Sequence, residues 1–263
     1  MSQRILLFIL LVSFFSCTHQ VEKKETMQQA TSDKIYQYSL FTALANKIYD
    51  GNLTVAEVKT KGDLGLGTFN VLNGEMIVLD GIVYQWLANG TVRIPEDTEL
   101  VPFTVVSFFD EDIKLEIPAV SGYAELKSQI ESEFPTRNVG YGFKITADFK
   151  SLKCGSANKQ PKPFTKTLSE ALVDRPVFEM ENVQGTLVGF WYPEYIGSVN
   201  VPGFHLHFIS ADKKQAGHVM EFEATDLNIE IDICDGFDIE LPETEAFDHV
   251  EFDALFKAPC HFR

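Results

Sequence analysis

The sequence is poor in cysteine, tryptophan and basic residues. Its 263 residues include 4 Cys, 2 Trp and 22 Lys plus Arg against 38 Asp plus Glu, so the net charge is −16. A strongly negative chain lacks the basic patches that bind nucleic-acid phosphates, and anionic lipid repels it. We therefore expect no nucleic acid among its partners and no membrane surface that holds it by charge.

Long hydrophobic runs are missing as well, and no segment has the length of a membrane-spanning helix. An apolar stretch near the N-terminus, residues 5–15, holds eleven residues and follows Arg4. A run of this length is too short to cross a bilayer. It is typical of the hydrophobic region of a signal peptide.

The Ser16-Cys17 pair after this stretch resembles a bacterial lipobox, in which the cysteine carries the lipid. We therefore predict a signal peptide with lipobox at residues 1–17 and a flexible tether at residues 18–34. The mature protein would then be an exported lipoprotein that touches the membrane only through its anchor at Cys17. Ordinary signal cleavage, which would leave a periplasmic or secreted protein, is the alternative.

Strand signals outnumber helix signals in the rest of the chain. Pairs of turn residues separate short β-rich runs at Asn73-Gly74, Asp80-Gly81 and Asn89-Gly90. Strands are predicted at residues 35–38, 68–72, 75–79, 82–87, 103–109, 138–149, 177–180, 186–191, 226–234 and 237–241. Helices are predicted after Ser39, after the capping box that starts at Thr54, and at residues 121–134 and 167–173. The class is therefore α+β, with mixed and antiparallel sheets and a few short helices.

The glycine-rich segment GDLGLGT, residues 62–68, does not fit a nucleotide-binding loop. It has neither the G-x-G-x-x-G spacing of dinucleotide folds nor the G-K-[ST] end of a P-loop. We expect its glycines to let the backbone approach another element closely.

Three of the six histidines lie in the segment VPGFHLHFISADKKQAGHVMEF, residues 201–222. Because side chains alternate between the two faces of a strand, Phe204, Leu206 and Phe208 should share one face, which suits a core. His205 and His207 should share the other face.

A polar loop follows this strand and ends in Gly217. A hairpin that closes there would place His218 opposite His207. Three imidazoles on a two-stranded platform are what a catalytic zinc site needs, with the fourth coordination position left open. Buried core histidines and the His-x-His of a cupin are the competing interpretations. The cupin ranks lower, because no acid stands at the expected offset after His207.

Segments in three parts of the chain together resemble the α-acetolactate decarboxylase family: residues 62–85, 182–195 and 201–222. They carry the blocks G-x-G-T-[FI]-N…G-E and H-x-H…G-H in the family's order, and the similarity runs from about residue 36 to residue 247. The resemblance implies a homodimer with two sheet-rich domains. We place these domains at residues 35–164 and 165–263, the second carrying the histidine hairpin.

The resemblance also implies one Zn2+ per subunit, held by His205, His207 and His218. It implies conversion of 2-acetolactate, a small 2-hydroxy-3-keto acid, to acetoin and carbon dioxide. The family's acid/base residue corresponds to Glu75, and its Gly-Thr position corresponds to Thr68. Loss of carbon dioxide leaves an enediolate, whose charge a bound cation stabilises, and a nearby carboxyl must then deliver a proton.

Two features of the family have no counterpart in this sequence. An active-site arginine lies in a family segment like K-x-R-[ST]-V-x-K-Q, and Gly155 stands in its place in KCGSANKQ, residues 153–160. The family also brings a glutamate from its C-terminal tail to the metal, whereas no acid follows Asp253 here. Lys153 and Lys159 are candidates to replace the arginine, although lysine lacks the bidentate fork.

These departures leave other hypotheses open beside the leading one of a zinc-dependent decarboxylase. The chain could instead be a zinc-binding surface lipoprotein with reduced or lost catalysis, or a metal-dependent lyase for another keto compound. Cysteines lie at or near both altered segments, so we hypothesise a Cys154–Cys260 disulfide that export would permit. The alternative is that Cys154, Cys234 and Cys260 are all unpaired thiols.

Overall fold

The structure, a computed structural model, describes residues 33–252. The predicted signal peptide with Cys17, the tether up to residue 32 and Cys260 lie outside the described residues. Cys154 and Cys234 are buried thiols, and a disulfide between Cys154 and Cys260 stays a prediction.

β-Strands form most of the regular structure between residues 33 and 252. Their sequences explain this, because runs such as IVYQW and FTVVS consist mainly of β-branched and aromatic residues. In chain order the strands are β1 (Lys34–Tyr38), β2 (Leu53–Thr54), β3 (Leu64–Thr68), β4 (Glu75–Leu79), β5 (Ile82–Trp86), β6 (Val92–Arg93), β7 (Leu100–Val101), β8 (Phe103–Ser107), β9 (Ile113–Val120), β10 (Gly140–Gly155), β11 (Val177–Tyr192), β12 (Gly203–Ser210), β13 (Ala216–Cys234) and β14 (Gly236–Glu240).

The helices are short. They are α1 (Phe41–Ala45), α2 (Val55–Lys61), α3 (Tyr123–Ser132), α4 (Leu168–Ala171) and α5 (Glu245–Asp248), with 3-10 turns at Asn70–Leu72 and Glu194–Ile196. The predicted capping box begins α2: Thr54 Oγ1 accepts from the Glu57 N–H, and the Glu57 carboxylate accepts from the Thr54 N–H. No helix within residues 33–252 is both long and apolar enough to span a membrane.

The first large sheet has seven strands in the order β14-β1-β8-β3-β4-β5-β6. It is mixed, because β1 pairs with β14 in parallel while its other pairs are antiparallel. The close approach predicted for the glycine-rich segment is confirmed in β3. A Cβ atom at Gly65 would lie 2.2 Å from the Val105 carbonyl oxygen in β8, and one at Gly67 would lie 2.5 Å from that of Phe103. A larger residue at either position would push β8 away.

The second large sheet is antiparallel, in the order β10-β11-β12-β13-β9. Because β10 also pairs with β13, the four strands β10 to β13 close on themselves as a small barrel. The register between β10 and β13 shifts at three places, and such bulges bend a strand. This curvature lets the 19-residue β13 pair with β12 at its start and with β9 farther along.

The two sheets meet along a seam where β3 and β4 contact β11, and β4 also contacts β12 and β13. One hydrophobic cluster runs through both sheets and includes Ile77 and Trp86 from the first and Phe190 and Phe208 from the second. Burial of such surface contributes roughly 25 cal/mol per Å2. The seam thereby holds the start of β4 against the histidine hairpin.

The predicted α+β class with mixed and antiparallel sheets is confirmed, but the predicted boundary at residue 164 does not separate the two sheets. β14 lies after that position and joins the first sheet, whereas β9 and β10 lie before it and join the second. The parallel β1–β14 pair is the physical reason, since parallel neighbours need a long crossover. Here the whole second sheet lies within that crossover.

Several predicted strand bounds are wrong. β3 ends at Thr68, and the predicted strand at residues 68–72 is instead the 3-10 turn Asn70–Leu72. The runs at 177–180 and 186–191 are one strand, β11, because the pairing with β10 continues from Val177 to Trp191 and skips only Asn182.

Candidate metal centre and its cavity

The histidine hairpin forms as predicted. His207 in β12 pairs directly with His218 in β13, and the turn between them closes with the Ser210 N–H donating to the Gln215 carbonyl oxygen. Leu206 and Phe208 are buried on the core face. The alternation read from the sequence therefore sets all three imidazoles on the opposite face of the hairpin.

One ring nitrogen of each histidine points to a common centre. His218 Nδ1 lies 3.3 Å from His205 Nε2 and 3.3 Å from His207 Nε2. Nitrogens that bind one ion tetrahedrally at ~2.0–2.1 Å lie roughly 3.3–3.4 Å apart. The three residues form a group that could hold a metal ion.

The chemistry of these nitrogens also suits a metal. His207 Nδ1 is 2.8 Å from the Met76 carbonyl oxygen, so Nδ1 carries the proton and the Nε2 lone pair is free. Burial lowers the pKa of all three, to about 3 for His207, about 4 for His218 and well below the usual value for His205. Neutral imidazoles are the form that ligates a metal.

A glycine positions the start of β13. Gly217 has φ +140°, and a Cβ atom there would lie 2.0 Å from Cζ3 of Trp86. The Trp86 indole therefore packs directly on the backbone beside His218. Since Trp86 pairs with Glu75 across β4 and β5, this contact links the histidine hairpin to the strand that carries Glu75.

Glu75 follows a tight turn at the start of β4. Gly74 has φ +83°, and a Cβ atom there would lie 2.2 Å from the Trp86 carbonyl oxygen, so glycine is required. Thr68 Oγ1 donates to the Gly74 carbonyl oxygen at 2.7 Å, and Thr68 pairs with Glu75. Thr68 thus holds the turn from which the Glu75 side chain projects.

The turn before Glu75 contains an unusual backbone conformation. Val71 and Leu72 have φ of +62° and +53°, which is unfavourable for a β-branched residue such as Val71. Two hydrogen bonds hold Val71: its N–H donates to the Tyr49 carbonyl oxygen at 2.6 Å, and its carbonyl accepts from the Gln160 N–H at 2.7 Å. Such strain persists where the surroundings over-determine it, often at functional sites.

The Glu75 carboxylate lies beside the histidines. Its Oε2 is 3.7 Å from His207 Nε2, and the Glu75 side chain is 12% exposed. Burial raises the pKa of Glu75 to about 8, while the Arg175 guanidinium and the Ala157 N–H act to lower it. Because burial keeps His207 neutral, its contact with Glu75 is not an ion pair.

A cavity of about 320 Å3 opens in front of these groups. Thr68, Glu75 and the three histidines line its polar part, and side chains such as Leu72, Phe103 and Phe204 line the rest. A cavity with mostly apolar walls and a few convergent polar groups suits a small ligand. All five site residues predicted from the sequence therefore meet in one place.

The cation that lines the cavity, Arg175, was not predicted from the sequence. Lys153 and Lys159 were the predicted replacements for an arginine, but neither lines the cavity: Lys153 Nζ lies 4.0 Å from Glu221 Oε2, and Lys159 is exposed. The pairing of β10 with β11 shows why Arg175 is near the site. Gly155, the last residue of β10, pairs with Val177 at the start of β11. Because the two strands are antiparallel, Arg175, two residues before Val177, lies close to the end of β10.

Fold and site together define a class of protein: a two-sheet α+β protein with a three-imidazole centre and a buried acid in one cavity. A family model described as "Alpha-acetolactate decarboxylase" matches residues 35–254. The chain is 37% identical to the alpha-acetolactate decarboxylase of Brevibacillus brevis, over 88% of this chain and 81% of that protein. It is 40% identical to that of Methanosarcina mazei, over 84% and 76%.

Solved structures give the same result. The crystal structure of alpha-acetolactate decarboxylase from Bacillus subtilis strain 168 superposes with a TM-score of 0.81 and 34% identity, covering 84% of this chain and 94% of that one. The chain therefore belongs to the alpha-acetolactate decarboxylase family, as the sequence motifs predicted.

Proposed function

We propose that this protein decarboxylates 2-acetolactate to acetoin and carbon dioxide, with Zn2+ at His205, His207 and His218. The observation that carries the proposal is the meeting of three imidazole nitrogens and the Glu75 carboxyl in one cavity. The relatives' activity supports the choice of substrate.

The reaction needs one bond to break and one proton to arrive. The bond between the carboxylate carbon and C2 breaks, its electron pair remains on the substrate, and a proton adds to C2 to give acetoin. A divalent metal at the three histidines supplies Lewis-acid stabilisation of the developing negative charge when it is bound. Open space beside the three nitrogens leaves room for the substrate's hydroxyl and keto oxygens.

Glu75 is the proposed proton donor. Burial acts to raise the pKa of its carboxyl group, which suits general acid catalysis. The strand start and the strained turn before it fix the direction of its carboxyl group. Thr68 is a positioning residue, since its hydroxyl proton is given to the Gly74 carbonyl oxygen.

The direct test is a turnover assay. Protein reconstituted with zinc is mixed with racemic acetolactate, and acetoin is measured against spontaneous decarboxylation. Acetoin well above that background is expected. Formation at the background rate would contradict the proposed activity and favour a metal-binding protein without this catalysis.

We also infer that the chain is exported and lipidated at Cys17, and that it forms a homodimer. The Ser16-Cys17 pair after the apolar run supports the anchor, and the family resemblance supports the dimer. Wild type should fractionate with membranes after expression in a bacterium, whereas Cys17→Ser should not. Equal membrane association of both would refute the lipobox. Light scattering of the soluble variant tests the dimer.

A further inference from the structure

Arg175 lines the cavity with its cationic side chain, and backbone hydrogen bonds fix the segment that carries it. It lies in the segment between α4 and β11, and its N–H donates to the Leu172 carbonyl oxygen at 3.4 Å. The next residue, Pro176, accepts from the Ser156 N–H at 3.0 Å. Both sides of Arg175 are therefore anchored, one to α4 and the other to the residue that follows β10.

The Arg175 side chain lies against the bare backbone of Gly155. A Cβ atom at Gly155 would be 3.1 Å from Nε, 3.2 Å from Cδ and 3.4 Å from Cζ of Arg175. The space that a side chain at position 155 would need is thus filled from position 175. Glycine at 155 and arginine at 175 are coupled, because a larger residue at 155 would displace the guanidinium.

The Arg175 guanidinium has unused donors. It makes no hydrogen bond or ion pair with any group in residues 33–252. Its charge nevertheless reaches the centre of the site, since it lowers the pKa of both Glu75 and His218. A half-buried guanidinium in a cavity with mainly apolar walls is costly to leave unpaired and is well suited to a carboxylate.

We propose that the Arg175 guanidinium binds the carboxylate of the substrate. It enters from the segment between α4 and β11 and fills the place of a side chain that Gly155, at the end of β10, cannot provide. The proposal rests on the proposed 2-hydroxy-3-keto acid substrate. The planar fork donates two hydrogen bonds to the two carboxylate oxygens, while the hydroxyl and keto oxygens face the histidines. Arg175 therefore selects acids over neutral molecules of the same shape.

Two stable probes separate charge recognition from shape. The acid probe is 2,3-dihydroxy-2-methylbutanoate, and the neutral probe is 2-methylbutane-2,3-diol, which has a methyl group in place of the carboxylate. Calorimetric titration of zinc-loaded protein should show that Arg175→Ala weakens binding of the acid on the order of 10- to 100-fold. Binding of the diol should change less than about twofold. Metal content is measured in parallel and should not change.

Matched variants complete the test. Lys153→Ala, which removes a cation of β10 outside the cavity, should bind both probes like wild type. Gly155→Arg combined with Arg175→Ala should regain most of the affinity for the acid, because the guanidinium returns from the other side of the contact. If Arg175→Ala does not fold, Arg175→Gln, which keeps most of the length without the charge, gives the same comparison.

Equal weakening of acid and diol, or unchanged binding of the acid, would overturn the assignment. These results are distinguishable from failure of the proposed function. A wild-type protein that binds the acid through Arg175 but forms no acetoin contradicts the function and leaves the assignment standing. A wild type that forms acetoin, with unchanged acid binding and KM in Arg175→Ala, contradicts the assignment alone.

Discussion

Among residues 33–252, two carboxyl groups have pKa values that burial raises. Burial raises the pKa of Glu75 to about 8 and that of Asp232 to about 7. Glu75 lies at the seam between the sheets, whereas Asp232 lies near the end of β13, beside Gly142 of β10. Their surroundings differ in the sign of the nearest charges.

Glu75 faces a cation, three imidazoles and a cavity. Asp232 faces other acids, since Asp112 and Asp33 raise its pKa further. Its Oδ2 atom has no hydrogen-bond partner among residues 33–252. A raised carboxyl pKa is therefore insufficient to mark a site, and the cavity with its convergent groups makes the distinction.

The largest expected difference between the two regions is metal binding. Elemental analysis of His205→Ala/His207→Ala should show complete loss of the metal that wild type binds, one ion per chain, because one remaining imidazole cannot hold it. Turnover should fall to background with it. His249→Ala, which removes an exposed histidine, is the control and should keep its metal. A double variant that still binds one ion per chain would refute the assignment.

Substitution of the seam carboxyl should separate chemistry from metal binding. Glu75→Gln should keep the metal and lower kcat on the order of 10²- to 10⁴-fold, since an amide cannot deliver a proton. Acetoin formation and metal content are the measurements. Glu221→Gln, an exposed carboxyl at the Lys153 pair, should leave kcat unchanged. Normal turnover in Glu75→Gln would assign the proton transfer to another group.

Substitution of the other carboxyl should change stability without changing activity. The folded-state pKa of Asp232 exceeds its ordinary value of 3.8, so the native state binds the proton more tightly than the unfolded state. Proton binding to Asp232 therefore stabilises the native state, and this contribution to the free energy of unfolding is fully present below about pH 4. It decreases as the pH rises to about 7, where the buried charge forms, and it is constant above that.

Asp232→Asn removes this pH dependence of the free energy of unfolding. Urea unfolding should show the variant more stable than wild type by on the order of 1–3 kcal/mol at pH 8, with a smaller gap at pH 5. Turnover relative to wild type should not change. A gap of the same size at both pH values would show that the carboxyl is not the cause.

The smallest expected effect concerns two hydroxyl groups. The Tyr192 hydroxyl is buried without a partner among residues 33–252, so Tyr192→Phe should leave the free energy of unfolding within about 0.5 kcal/mol. Thr68→Val, which loses the bond to the Gly74 carbonyl, should lower it by about 1 kcal/mol. Chemical denaturation measures both, and a larger loss in Tyr192→Phe would reveal a missed partner.

Much of the candidate site could be predicted because its parts are local. Alternation along one strand places His205 and His207 together, and one turn brings His218 back to them. The Asn73-Gly74 turn likewise places Glu75 at a strand start. Each of these relations spans a few residues, so the periodicity of a strand and the length of a loop decide it.

Sheet membership could not be predicted in this way. β1 pairs with β14 across nearly the whole chain, and β10 takes partners on both of its edges. No local pattern distinguishes these pairings from a simple division at residue 164. Burial of a shared core across the seam decides them.

The sequence by itself determined the strand-rich class and the histidine face, because hydrophobic periodicity and turn residues act over short distances. The family motif, and not periodicity, pointed to the acid that accompanies the histidines. Only the tertiary structure decided which cation enters the cavity. Lys153 and Lys159 are closer in sequence to the altered segment, yet Arg175 occupies the space over Gly155. The physical reason is that the β10–β11 pairing, together with the absence of a side chain at Gly155, sets that guanidinium beside the site.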